Sequence, residues 1–118
     1  MRLQQSLPLS LMCGLLVAFG TMGYSANSYA ADVEAAKVLA RQSNCFKCHS
    51  ATKKKDGPSF HDTAVKYKGK PEAMERLTIH ITTGEKAKFE DGHEEDHPIV
   101  KTKDKAQIKN LIEWILSN

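Results

Sequence analysis

Sulfur is scarce in this chain beyond residue 30, where only Cys45, Cys48 and Met74 remain. Two cysteines exclude a disulfide framework and a four-cysteine zinc site. Neither sign of charge dominates, with 17 basic against 14 acidic side chains, so no broad cationic surface for nucleic acid is indicated. No segment alternates apolar and polar residues as a half-buried strand does, and no internal repeat is visible. The apolar run from Leu7 to Phe19 is too short to span a bilayer stably, and no stop-transfer segment follows it. Arg2 ahead of that run and Ser28-Tyr29-Ala30 after it match an export signal cut behind Ala30. Residues 1–30 are therefore expected to be a signal peptide and 31–118 one small periplasmic domain, without stable membrane insertion. Cys13 lies within the apolar run, and the preceding Ser10-Leu11-Met12 is no lipoprotein box, so it is given no role.

What is present centres on Cys45-Phe46-Lys47-Cys48-His49. Two cysteines three apart, with histidine directly after the second, form the pattern for covalent attachment of haem c. On a helical turn, positions i and i+3 share a face, so both thiols can add to the vinyl groups of one porphyrin. His49 then lies beneath the ring, with a nitrogen in reach of the iron. A thioredoxin-like redox pair wants a βαβ context, which is missing. Half of a zinc site wants a second pair of Cys or His at ligand spacing, and the domain has no further cysteine. A domain of this size is marginal without a staple, and one buried haem would supply it. Arg2 is the one charged residue of the leader, so the domain carries +2 of the formal +3, which two haem propionates would bring near zero.

Around the motif the spacing predicts only helices. Asp32 is a candidate N-cap for a helix through Val33, Ala36, Val38, Leu39 and Ala40, and Asn44 suits the left-handed residue that ends it. A lysine-rich loop then runs to Gly57-Pro58. The Pro58 carbonyl is placed to accept from the far ring N–H of His49, although an ordinary Gly-Pro turn would have the same sequence. Ser59 to Tyr67 predicts a short helix closed by Gly69. Pro71 suits a first helical turn, and Met74, Leu77 and Ile81 keep helical spacing up to Gly84. Asp104 and Gln107 form a candidate capping box, and Ile108, Leu111, Ile112, Ile115 and Leu116 draw the apolar stripe of a last helix, flanked by Trp114.

Taken together, these residues resemble the class I cytochromes c, most closely the small bacterial monohaem members. Cys-x-x-Cys-His, Gly57-Pro58, the segment Ser59 to Tyr67 and the end Ile112-Glu113-Trp114-Ile115-Leu116 carry the similarity. The resemblance implies an all-α fold of short helices around one covalent haem, with the first and last helices crossing near its edge. Ala40 stands where the family has an aromatic residue. The family's Met-Pro ahead of the last helix is replaced by His97-Pro98, so the resemblance implies His49 and His97 as paired axial ligands. His93, in the same loop, is the competitor. His93, His97 and the acids between them could alternatively hold zinc or copper. His61 and His80 are expected at the surface and Met74 in the core. The implied role is that of an electron carrier rather than an enzyme, a monomer or weak dimer meeting redox partner proteins. Lysines 53–55, 66, 68 and 70 are a solvated face that could steer an acidic partner. A haem-based sensor whose loop histidine is displaced by a small molecule, and an electron-entry subunit of a larger oxidoreductase, are the alternative readings. The charged loop from Glu85 to Asp96 would be the mobile element in the sensor.

Overall fold

Asp32 opens the first helix. Its carboxylate accepts the Ala35 N–H at 3.0 Å, satisfying one of the donors that a helix start leaves free, and α1 runs Val33–Gln42. The computed structural model describes residues 30–118, so the expected signal peptide, residues 1–30, lies almost wholly outside the described residues. Helix α1 ends as expected, with Asn44 in the left-handed region at φ 59°. The chain then makes one tight turn over Cys45–Lys47. Ser59 caps α2, Phe60–Tyr67, by accepting from Asp62 N at 2.9 Å, while its hydroxyl donates to the Asp62 carboxylate at 2.7 Å. Helix α3 covers Ala73–Thr83 and stops at Gly84, whose φ of 68° is costly for a side-chain-bearing residue.

Two terminus signals resolve differently from the sequence expectation. Pro71 belongs to the turn before α3 rather than to its first helical turn: Glu72 is the cap, and Ala73 N bonds to Lys70 O at 3.2 Å. Helix α4, Lys105–Leu116, is capped by Asp104, which accepts from Ala106 N at 2.8 Å and Gln107 N at 3.4 Å. The Asp104 N–H goes to Thr102 Oγ1 at 3.1 Å, so the reciprocal half of the capping box is taken by threonine.

Helix α1 lies across α4. Asn110 on α4 grips Asp32 at both backbone groups, accepting from its N at 2.7 Å and donating to its carbonyl at 2.9 Å. Beneath that clamp Ala36, Leu39 and Ala40 pack with Leu111, Ile112 and Ile115, and Leu77, Ile81 and Val100 close the core from the α3 side. Leu111 and Ile112 are wholly buried, each contributing about 1.5–3 kcal/mol by leaving water. Trp114 is no flanking residue. It is buried and meets Phe60 edge-on at 5.2 Å and Phe46 at 6.4 Å. Ala40 is fully buried in this core, and Phe46 from the tight turn reaches Trp114.

One element departs from an all-helical chain. Lys86–Lys88 (β1) and Glu94–Asp96 (β2) pair antiparallel, with Lys86 opposite Asp96 and Lys88 opposite Glu94. Strands of three residues are too short for alternation to announce them. Opposite charges across the ladder hold them instead, with Lys86 Nζ at 2.6 Å from the Asp96 carboxylate. Gly92, at φ 90°, makes the turn. The fold remains mainly helical, and the charged loop from Glu85 to Asp96 contains a short hairpin.

Candidate functional site

The tight turn places the two cysteines. Residues three apart nearly eclipse on a 3-10 turn, so Cys45 and Cys48 share a side, and both are free thiols, half-buried. Burial pushes the Cys45 thiol up from its ordinary value. His49 N bonds back to Cys45 O at 3.0 Å, which directs the next side chain beneath the same face.

Three contacts fix the His49 ring. Nδ1 donates to the Pro58 carbonyl at 2.7 Å, leaving Nε2 for another partner. Phe60 stacks on the ring at 5.6 Å, tilted by 21°. Gly57 backs it so closely that an added Cβ would stand 2.6 Å from Cε1 and 2.9 Å from Nδ1. The glycine is needed for clearance, since its φ is not in the left-handed region. Gly57→Ala should displace the imidazole or break its bond to Pro58, costing about 1–3 kcal/mol by overpacking. Thermal unfolding of the haem-loaded variant checks this, and a melting point equal to that of the parent would refute it.

Facing His49 is His97. Its N–H bonds to Glu85 O at 3.0 Å, and Val100 N bonds to Ile81 O at 2.8 Å, so both sides of His97-Pro98 are tied to the end of α3. The two rings lie 6.2 Å apart, centre to centre. An imidazole nitrogen lies about 1.1 Å from its ring centre and binds a metal at about 2.0 Å, so two imidazoles on one ion have centres roughly 6 Å apart. The pair thus fits a single metal ion between them. Desolvation drives the His97 pKa down to about 4, with smaller contributions from His80 and His49. Burial likewise lowers His49, against the opposing effect of its Pro58 bond. Both imidazoles are therefore neutral, as ligands must be, at neutral pH.

His93 is placed elsewhere. It stacks on Phe89 at 4.2 Å, is exposed, and bonds to Asp91 with Glu95 at 3.5 Å from Nε2. Asp91 chiefly raises its pKa, favouring the protonated form that cannot ligate. Among the described residues no three His, Cys, Asp or Glu side chains converge as a metal site, so nothing supports zinc or copper at this hairpin. Exposed His61 meets only the Asn118 carbonyl, at 3.3 Å.

The profile of the cytochrome c family matches residues 33–118. The chain belongs to the cytochrome c family. Cytochrome c-551 of Allochromatium vinosum is 33% identical over 95 residues, 80% of this chain and 98% of that protein. Cytochrome c-552 of Hydrogenobacter thermophilus is 37% identical over 79 residues, 67% of this chain and 76% of that one. Among solved structures, the class 1 cytochrome MtoD of Sideroxydans lithotrophicus ES-1 superposes with a TM-score of 0.71 at 57% identity, covering 75% of this chain and 97% of MtoD. Cytochrome c552 of Nitrosomonas europaea gives 0.55 at 31%, covering 69% and 96%. This cytochrome accordingly is a class I member, similar to the small bacterial ones, that carries one covalent haem c and works as an electron carrier.

Sequence reasoning missed one residue of the cytochrome's site. His80, expected at the surface, lies with its ring centre 4.0 Å from that of His97. Its Nδ1 is 2.5 Å from the Glu85 carboxylate, which also takes Arg76 Nη2 at 2.6 Å. Arg76 and His80 together hold Glu85 below the ordinary carboxylate range. Among the described residues no helix is long and apolar enough to cross a membrane.

Proposed function

We propose that this cytochrome is a periplasmic monohaem electron carrier in which Cys45 and Cys48 hold the haem by thioether bonds and His49 and His97 are the axial ligands. The observation that carries the assignment is the pair of neutral, half-buried imidazoles whose ring centres lie 6.2 Å apart. When bound, the haem iron supplies a one-electron couple. The protein's own residues do the rest. Pro58 and Phe60 hold the His49 ring plane, and the Pro58 bond makes that imidazole a better electron donor. The tie from Glu85 O to His97 N holds the backbone of the residue that carries the second imidazole. His49 and His97, if both held the iron, would leave it no open position for a substrate, in keeping with electron transfer rather than catalysis. Imidazole in place of thioether favours the ferric state, so the reduction potential is low for the family.

Exposed Lys53 lies on the loop just after His49, while Lys54 pairs with Glu90 and Lys55 bonds the Phe46 carbonyl at 2.5 Å. Positive charge on this side of the motif suits a redox partner with an acidic face. Residues 1–30 serve as the export signal in this reading, and the exported protein begins at Ala31.

Acid–acetone extraction of the purified protein tests the assignment together with oxidised and reduced spectra. The haem should remain on a chain whose intact mass corresponds to residues 31–118 plus one haem. The oxidised spectrum should lack the near-infrared-edge band of methionine bound to iron. Haem partitioning into acetone, or the presence of that band, overturns it.

A further inference from the structure

The two facing imidazoles are held by different means. His49 has a hydrogen-bond acceptor for its distal nitrogen, the Pro58 carbonyl at 2.7 Å. His97 has none. Its Nδ1 is sealed from solvent without a partner, and the Pro98 carbonyl, though near enough to act on it weakly, lies outside hydrogen-bonding geometry. A ligating imidazole commonly has its ring plane fixed by a bond at the nitrogen remote from the metal. Without one, the ring turns about the metal–nitrogen axis unless a neighbour blocks it.

The neighbour is His80. Its ring centre is 4.0 Å from that of His97, with the planes tilted by 43°, so the two rings are in contact. His80 cannot easily yield, because Glu85 holds its Nδ1 at 2.5 Å and Arg76 holds Glu85 at 2.6 Å. Two of these three residues stand one turn apart on α3, and the third follows Gly84 at its end. The same Glu85 takes the His97 N–H with its backbone carbonyl at 3.0 Å. Backbone and ring of His97 are therefore referred to one residue, which is anchored to one helix.

We infer that His80 is a positioning residue: braced by Glu85 and Arg76, its ring sets the plane of the His97 imidazole in place of a hydrogen bond. The inference rests on the reading of His97 as the sixth ligand. It assigns His80 no bond to the iron. It also makes His97 the less firmly held of the two ligands, because a contact without a hydrogen bond resists rotation and departure less strongly.

The test uses the haem-loaded protein and two readouts that respond to ligand geometry. The g-values of a low-spin ferric haem with two imidazoles depend on the angle between their planes. The rate at which carbon monoxide enters the ferrous protein depends on how readily the sixth ligand leaves. His80→Ala should shift the g-values and raise that rate about tenfold, the scale on which outer partners of metal ligands act. Glu85→Ala should shift both readouts in the same direction. Glu85→Gln, which keeps an acceptor for His80 and a partner for Arg76, should return them toward the parent values. If His80→Ala does not load haem, the Glu85 pair carries the test. Parent g-values and rate in both alanine variants overturn the inference, even if melting points fall, since that outcome leaves only a structural role. A parent spectrum lacking the two-imidazole signature overturns the ligand assignment itself, and the inference with it.

Discussion

Without both Cys45 and Cys48, the chain is expected to yield almost no coloured, folded protein. The reason is the size of the core. Its largest fully buried apolar side chains are Leu111 and Ile112, and two members of the cluster, Ala36 and Ala40, are alanines. A core of this kind is marginal on its own, and the haem is expected to supply much of the remaining apolar contact. Two thioether bonds keep the porphyrin at an effective concentration in about the millimolar range or above, so its departure is always reversed. Cys45→Ala or Cys48→Ala leaves one tether and should lower the holoprotein yield about tenfold, while the double variant should leave none. The ratio of visible to ultraviolet absorbance and the intact mass measure this. A double variant that holds haem through purification and melts like the parent would show that coordination suffices and that the core is larger than it looks.

His97→Met should convert the iron site, and His93→Met should not. Replacing imidazole by thioether raises the potential, here by something on the order of 100 mV within the roughly 0.8 V range that axial ligation spans. It should also bring in the near-infrared-edge band. His93 stacks on Phe89 and is engaged with Asp91 and Glu95, so its replacement changes the hairpin and leaves the iron alone. Voltammetry and oxidised spectra of the two variants decide the matter. If His93→Met shifts the potential and produces the band while His97→Met does neither, the ligand assignment is wrong.

Much of this was legible from residue order because it is local. Asp32, Ser59 and Asp104 act on the first turn that follows them, and Asn44 and Gly84 end helices by their own backbone angles. The Pro58 carbonyl meets a ring only nine residues away. What escaped was of two kinds. The hairpin depends on Lys86–Asp96 and Lys88–Glu94 pairing, and alternating charge in so short a segment has no hydrophobic period to detect. His80 escaped through a phase error. Anchoring the α3 stripe on Met74 puts His80 on the outer face. The buried residue of that turn is Ala73, and His80 lies seven after it and three after buried Leu77. Read from Ala73, the stripe passes through His80 toward the site. The contact with His97 itself, seventeen residues on, had no sequence signal.

The clamp between Asp32 and Asn110 has a consequence for how the molecule is put together. It joins residues 78 positions apart, over the α1 face that packs on α4. The pairing is complete only when both helices are present, which makes it a long-range closure of the slow kind. Trp114 on α4 likewise reaches back to Phe46 in the turn between the two cysteines. The turn that carries both thiols is thus tied, through Phe46, to a helix that lies far from it in the chain.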